Sequence, residues 1–297
     1  MPNNLVIIMT DELRRDVLSC YGNTYVKTPN INRLSQFGQL FTNAYTPSPI
    51  CVPARASIAT GQYVHEYRCW TNAMRYTGHL RSWHHELRDN NRDIISIGKL
   101  HFKNSEKSNG FSNEILPLHV KDGKGWIHGL LRERTDLFDA SKFSTNIGPG
   151  EDPYTNYDRK VCQLTKEWLT ENGARNPQGG WCLFVSFLRP HYPLTCPSEF
   201  YELYDPKVLP KPRQASDSAE LEHPVLRNLK ESCDYDESFT DNTRQIAIAS
   251  YYGLCTFVDN LVGKINETLK KTSLDETTNI LFTSDHGECL GDRGFWT

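Results

Sequence analysis

The feature that most constrains this chain is a set of short, largely apolar runs, each ending abruptly in residues that carry chemistry. Leu5-Val6-Ile7-Ile8-Met9 runs into Thr10-Asp11-Glu12, and Asp93-Ile94-Ile95-Ser96-Ile97-Gly98 runs into Lys99-Leu100-His101. Trp181 to Phe187 leads to Leu188-Arg189-Pro190-His191, and Asn279 to Phe282 leads to Thr283-Ser284-Asp285-His286-Gly287. Leu5 to Met9 is the pattern of a strand covered on both faces, Asp93 to Gly98 reads as another buried strand, and Trp181 to Phe187 and Asn279 to Phe282 read as further strands. Helical periodicity separates them. Thr28-Pro29-Asn30 opens a helix through Ile31, Leu34 and Phe37, and Val161, Leu164, Trp168 and Leu169 give an apolar face to residues 157–171. Asn242 or Thr243 is expected to cap a long helix running through Ile246, Tyr251, Leu254, Val258, Leu261 and Ile265. Strands alternating with helices predict an α/β fold with a mostly parallel central sheet flanked by helices. Leu40 to Tyr45 reads as a further strand, residues 76–88 as partly helical, and 103–153 and 193–242 as surface loops and short elements.

In open sheets of this kind, ligands bind outside the carboxyl ends of the strands. Asp11, Glu12, Lys99, His101, His191, Asp285 and His286 all fall at such ends, which points to a single active site. Asp11-Glu12 alone reads as a solvated turn or a helix cap; a matching apolar run ending in Asp285-His286 gives it partners. Together Asp11, Glu12, Asp285 and His286 suit a hard divalent cation, Ca²⁺ or Mg²⁺, and the histidine also admits Mn²⁺. Arg55, Lys99, His101 and His191 are donors that can hold a tetrahedral anion and stabilise charge growing on it, and one histidine can protonate a leaving oxygen. With 33 basic and 36 acidic side chains the formal charge is −3, so there is no global pull toward nucleic acid or an anionic membrane. Anion binding has to be local.

The nine cysteines are scattered, odd in number and without a Cys-x-x-Cys pair, which argues against a disulfide framework or a zinc ribbon. One of them has distinctive company. In Cys51-Val52-Pro53-Ala54-Arg55, followed by Ala56-Ser57-Ile58-Ala59-Thr60-Gly61, Pro53 suits a first helical turn and Gly61 the far end. Cys51 then stands at a helix N-terminus, where free amide hydrogens lower a thiol's pKa and can hold an anion beside Arg55. Taken alone, the residue reads as a buried structural cysteine.

This stretch resembles the Cys-x-Pro-x-Arg signature of type I, formylglycine-dependent sulfatases of the alkaline phosphatase superfamily. The likeness extends over nearly the whole chain, through Thr10-Asp11-Glu12, Thr28-Pro29-Asn30-Ile31, Gly98-Lys99-Leu100-His101, Pro190-His191 and Asp285-His286-Gly287. It implies an alkaline-phosphatase/sulfatase-like fold and hydrolysis of an O-sulfate ester. In such enzymes a maturase oxidises the cysteine, here Cys51, to formylglycine, whose hydrate attacks sulfur and whose remaining hydroxyl expels sulfate. Carried over motif by motif, the resemblance implies a divalent metal, foremost Ca²⁺ with Mg²⁺ or Mn²⁺ as alternatives. Asp11, Glu12, Asp285 and His286 would bind it together with oxidised Cys51. Arg55 would stabilise the formylglycine, and Lys99, His101 and His191 would contact the sulfate or leaving group. Asn72 is placed like a polar sulfate contact in phosphonate-hydrolase-like relatives. Lys99-Leu100-His101-Phe102 resembles choline-sulfatase-like members, while Glu12 stands where many sulfatases have Asp and His286 where they have Asn.

A phosphonate monoester or phosphodiester hydrolase using the same nucleophile is the alternative enzyme. Relatives usually continue with a sulfate-binding lysine and a smaller C-terminal subdomain, so one catalytic domain over residues 1–297, truncated at its C-terminal end, is expected. An inactive, anion-binding remnant is the reading from a different class. Expected partners are a small-molecule or carbohydrate sulfate ester and the maturase, with neither nucleic acid nor membrane. Met1-Pro2-Asn3-Asn4 has no basic start and no run approaches a membrane span, which reads as cytoplasmic, as would the mature form of an exported protein.

Overall fold

The computed structural model describes residues 4–125, 140–173, 180–213, 223–233 and 235–297. In chain order these form β1 (Asn4–Asp11), α1 (Pro29–Phe37), α2 (Cys51–Thr60), α3 (Val64–Tyr67), α4 (Trp83–Asp89), β2 (Asp93–Lys99), β3 (Asn113–Leu118), α5 (Ser141–Thr145), β4 (Ile147–Pro149), α6 (Pro153–Glu171), β5 (Trp181–Pro190), β6 (Leu194–Cys196), α7 (Ser198–Tyr201), α8 (Pro224–Ser232), α9 (Asp241–Lys271) and β7 (Thr278–Ser284), joined by loops and 3₁₀ turns.

Five strands make one parallel sheet in the order β3-β2-β5-β1-β7. Ile7 pairs with Phe184 on one side and Leu281 on the other, which puts the ends of β1, β5 and β7 at one edge. The four apolar runs are four of these strands. β5 is buried along its whole length, whereas β7 is an edge strand with Leu281 45% exposed. Alternation divides the inner strands between two faces. Leu183, Val185 and Phe187 join Val6, Ile8 and the apolar side of α6 and α9 in the larger core. Cys182 and Phe184 join Met9, Ile94 and α2 in the smaller one.

Three local features aim the strand ends. The β1–β5 ladder slips between Met9, opposite Ser186, and Asp11, opposite Pro190, which disengages the two tips. Gly98 has φ 106°, and a Cβ there would lie 2.2 Å from the Ser186 carbonyl oxygen, so β2 passes β5 at a distance only glycine permits. The Tyr251 hydroxyl of α9 donates to the Glu12 carbonyl (2.7 Å) and accepts from the Arg14 N–H (2.9 Å), holding the left-handed turn at Glu12, φ 66°.

Several sequence expectations are corrected. Leu40 to Tyr45 forms no strand; it is exposed and irregular, with Tyr45 90% exposed, because no neighbouring strand covers it. Strand β3 arises inside the stretch expected to be loops, as a partly exposed sheet edge whose sequence lacks a buried strand's apolar run. The cap of α9 is Thr240, whose Oγ accepts from the Thr243 N–H at 3.2 Å. Residues 126–139 and 214–222, within the expected surface loops, lie outside the described residues. Among the described residues α9 is long and apolar enough to cross a membrane, a length the sequence reading did not credit, but 83% of its apolar window is buried within the fold. That is the property of a core helix.

Candidate active site

Helix α2 begins at Cys51 and is almost wholly buried, with small side chains at Ala54, Ala56 and Ala59 that let its axis lie close to the sheet. Pro53 occupies the first turn, where its missing N–H leaves no donor unpaired. One turn separates Cys51 from Arg55, so both face the strand ends.

Arg55 and Lys99 each take the outer oxygen of a buried carboxylate. Arg55 Nε donates to Asp285 Oδ2 at 2.7 Å, and Lys99 Nζ pairs with Asp11 Oδ2. Arg55 Nη1 is spent on the Lys99 carbonyl (2.8 Å) and Ser186 Oγ (2.9 Å), while its buried Nη2 has no partner among the described residues. The inner carboxylate oxygens face Cys51 and His286. The Cys51 thiol donates to Asp11 Oδ1 at 3.3 Å, and His286 Nε2 lies 3.3 Å from Cys51 Sγ, 3.6 Å from Asp11 Oδ1 and 3.8 Å from Asp285 Oδ1. Because His286 Nδ1 meets a carbonyl acceptor, that of Gly287 at 2.9 Å, Nδ1 carries a proton and the neutral ring would present an Nε2 lone pair to the cluster.

Asp11, Cys51, Asp285 and His286 thus offer four ligand atoms within 4.8 Å of one another, all from buried residues. Two carboxylate oxygens and an imidazole nitrogen at that spacing fit a single divalent cation, and the outer oxygens are oriented by Arg55 and Lys99 as a metal site's supporting partners should be. Glu12 is placed differently. Its N–H donates to Asp285 Oδ1 (3.2 Å), but its carboxylate faces the Tyr192 N–H (3.4 Å) and His191 Nε2 (3.8 Å). Asn72 stands beside the helix start, where its Oδ1 accepts from the Val52 N–H at 3.0 Å. His101 adopts φ 61° just past β2, and its Nδ1 is buried without a partner among the described residues.

Electrostatics follow from burial and these pairings. Burial pushes Asp11 upward, but Lys99, then His191 and Arg55, outweigh it and hold the carboxyl well below its usual range. Burial opposes charge on Arg55 and Lys99, yet Asp285 and Asp11 keep both charged, with raised pKa values. His101 and His191 are lowered, chiefly by burial. His286 is raised despite burial, because Asp285 and Asp11 face it. Glu12 is raised well above its usual range by burial and by Glu288. The Cys51 thiol reverses the sequence expectation: burial first, then Asp11, push it up rather than down.

Sequence reasoning missed Ser186, Ser284, Tyr251 and Glu288. Ser186 interrupts the apolar run of β5, a signal that was available; Ser284 Oγ, between the Leu13 N–H (3.0 Å) and the His286 carbonyl (2.8 Å), sits within a motif already singled out. Tyr251 looks like any core residue of α9, and Glu288 follows the metal motif without a distinguishing pattern. A separate cavity of about 320 Å³, lined by Arg14, Tyr21, Tyr25, Arg213, Tyr252 and Asp292 among others, includes none of the sequence-predicted site residues.

Comparison with known proteins agrees with this geometry. The chain is 30% identical over 302 residues to a choline-sulfatase of Rhizobium meliloti, covering 99% of this chain and 59% of the relative. It is 28% identical over 320 residues to an arylsulfatase of Clostridium perfringens, covering 100% and 65%. The chain therefore spans less than two thirds of the length of these relatives. Among solved structures, the phosphonate monoester hydrolase of Agrobacterium radiobacter superposes with TM-score 0.79 at 24% identity, over 100% of this chain and 65% of that one. A protein solved in complex with its substrate, D-glucosamine-2-N,6-O-disulfate, superposes with TM-score 0.72 at 19% identity, over 100% and 68%. These likenesses place the alkaline-phosphatase/sulfatase-like fold; the family model for sulfatases matches residues 3–296, and the chain belongs to the sulfatase family.

Proposed function

We propose that this chain hydrolyses an O-sulfate ester of a small molecule or carbohydrate, with Cys51, oxidised to formylglycine, supplying the nucleophile. The observation that carries the reading is the position of Cys51 Sγ inside the donor group, 3.3 Å from both Asp11 Oδ1 and His286 Nε2, on the helix that also delivers Arg55. A thiol there is a poor nucleophile, because burial and Asp11 suppress its ionisation. The place suits an oxygen nucleophile facing a hard cation, which is what supports oxidation of the residue. Because residues 51–56 are buried, a maturase would have to act before the chain folds around them.

Asp11, Asp285 and His286 would hold the cation, Ca²⁺ foremost, with Glu12 bearing on the same strand turn. Such a cation, when bound, acts as a Lewis acid toward the ester's sulfate oxygens. The unpartnered Nη2 of Arg55 is free to donate to the nucleophile, and Lys99 adds positive charge beside Asp11. His101 and His191 stand ready to bond the leaving oxygen. An arriving sulfate would raise both pKa values and favour the protonated donor, so that one of them can pass a proton as the bond to sulfur breaks. Asn72 would steady the helix start through the Val52 N–H.

The test is co-expression with a formylglycine-generating maturase, followed by mass spectrometry of the Cys51 peptide and kinetics on aryl sulfate and aryl phosphonate esters. The expected result is an aldehyde at residue 51 and a higher kcat/KM for sulfate. Preference for phosphonate would transfer the assignment to a phosphonate monoester hydrolase. An unmodified thiol, with turnover unaffected by Cys51→Ser, would leave only an anion-binding remnant.

A further inference from the structure

We propose that Arg189 is a positioning residue for His191, a role that rests on the assignment of His191 to the sulfate or leaving group. Arg189 ends β5 fully buried and takes no part in the group around Cys51. Its Nη1 donates to the carbonyls of His191 (2.8 Å) and Pro193, and its Nη2 to the Thr195 carbonyl (3.2 Å) and Thr155 Oγ1 (3.0 Å). Its Nε also donates to Thr155 Oγ1 (3.2 Å), and Asp152 supplies the counter-charge. Asp158 accepts the N–H groups of Leu188 and Arg189, both at 2.8 Å. The Tyr154 ring centre lies 5.7 Å from the Arg189 guanidinium carbon and 6.1 Å from the His191 ring.

Asp152, Tyr154, Thr155 and Asp158 all belong to the start of α6, so one helix end grips the whole return of the chain from β5 to β6. Burying a guanidinium is unfavourable, and an apolar side chain of similar volume would be easier to accommodate. What only arginine provides is a planar set of five donors, and here two carbonyls of the turn, His191 and Pro193, and one of β6, Thr195, converge on that plane. The turn has no strand or helix pairing of its own at His191 and Tyr192. Backbone bonds from His191 N–H to the Leu188 carbonyl (3.1 Å) and from Tyr192 N–H to Glu12 (3.4 Å) locate its amide side; Arg189 locates its carbonyl side. The imidazole follows, since its Nδ1 is tied to the Tyr192 carbonyl and its Nε2 is thereby presented toward Glu12. His101 arrives from β2 with no link to this clamp.

The experiment measures aryl sulfate kinetics and thermal midpoints for Arg189→Lys and Thr155→Val, each alone and combined with His191→Ala, in the matured protein. Thr155→Val keeps the side-chain shape and removes only the hydroxyl, so it carries the test should Arg189→Lys fail to fold. Each single variant is expected to lower kcat roughly 10- to 100-fold, the scale of a misplaced reacting group, with KM changed by less than about threefold. In the His191→Ala background neither should lower kcat further, because residues acting through one another are not additive. Losses that multiply with His191→Ala would overturn the proposal. If the wild-type protein turns over no sulfate ester, the functional assignment fails, and the clamp is read separately from the ¹⁵N-labelled His191 imidazole resonance. A shift or broadening of that resonance in Thr155→Val, with His84 unmoved, supports positioning; an unmoved His191 resonance refutes it.

Discussion

On one face of the sheet, Leu254, Val258, Leu261 and Ile265 of α9 form a single core with Val6, Ile8, Leu183 and Val185; on the other, Val52, Ala56 and Ala59 of α2 lie with Met9 and Phe184. The first face is filled with large side chains on a helix of 31 residues. On the second, α2 contributes small side chains that lie against Met9 and Phe184, and there the helix brings Cys51 and Arg55 against the strand ends. The α9 face bears on how stable the fold is, and the α2 face on where two side chains stand relative to Asp11 and Asp285. Substitutions on the two faces should therefore fail in different measurements.

The sharpest contrast is expected at Cys51. Replacing it with Ala should reduce sulfate ester turnover roughly 10⁴-fold or more while leaving the thermal midpoint nearly unchanged, since it removes the proposed nucleophile from a packed but small site. A variant that retains turnover would break the functional side of the comparison. Asp285→Ala comes next, because it would strip a proposed metal ligand and leave the buried Arg55 guanidinium without its ion-pair partner. Metal content measured by plasma mass spectrometry should fall, and stability by about 3–5 kcal/mol in urea titration; unchanged metal content would refute the metal assignment. On the opposite face, Leu254→Ala should cost about 2–5 kcal/mol of stability with kcat unchanged, and an equal loss of kcat would show that the faces are not separable.

The effect that is smallest at neutral pH concerns a buried histidine. His84 of α4 is buried on the α2 side, stacked on Phe111 with ring centres 4.1 Å apart. Burial, only partly offset by its bond to the Asn109 carbonyl, holds its pKa down from 6.5 to about 3. A depressed folded-state pKa means the neutral form is required, so its contribution to stability is present above pH 6.5 and is lost as pH falls toward 3. This one group adds at most about 1.4 kcal/mol per pH unit across that window. Urea midpoints of wild type and His84→Gln, measured from pH 7 to pH 4, should diverge at the acidic end, with the variant showing the shallower slope. Parallel curves would remove His84 from the account of the α2 face.

Much of the fold was legible because strands covered on both faces must be largely apolar, as β1, β2 and β5 are, and because the edge strand β7 still carries the short run Ile280-Leu281-Phe282. β3 escaped because a partly exposed edge needs no such run, and Leu40 to Tyr45 misled because β-forming residues without a neighbouring strand remain a loop. The site residues were nameable for a related reason: a polar residue immediately after a buried strand is at an edge where chemistry can be done. Arg189 was visible in Leu188-Arg189-Pro190-His191 but its task was not, since its partners Asp152, Thr155 and Asp158 lie 31 to 37 residues earlier and nothing in the intervening pattern links them.

The sequence by itself determined the α/β class, the strand ends that carry Asp11, Lys99, His191 and Asp285, and the helix that starts at Cys51. All of these are set by short-range rules of burial, periodicity and capping. Only the tertiary structure decided that Arg55 takes Asp285 while Lys99 takes Asp11, that Glu12 turns toward His191, and that the Cys51 thiol is suppressed rather than activated. Those outcomes depend on the strand order β3-β2-β5-β1-β7 and on what it buries together. Desolvation and a carboxylate arriving from 40 residues away in sequence raise the pKa of a sulfur that the sequence places only at a helix start.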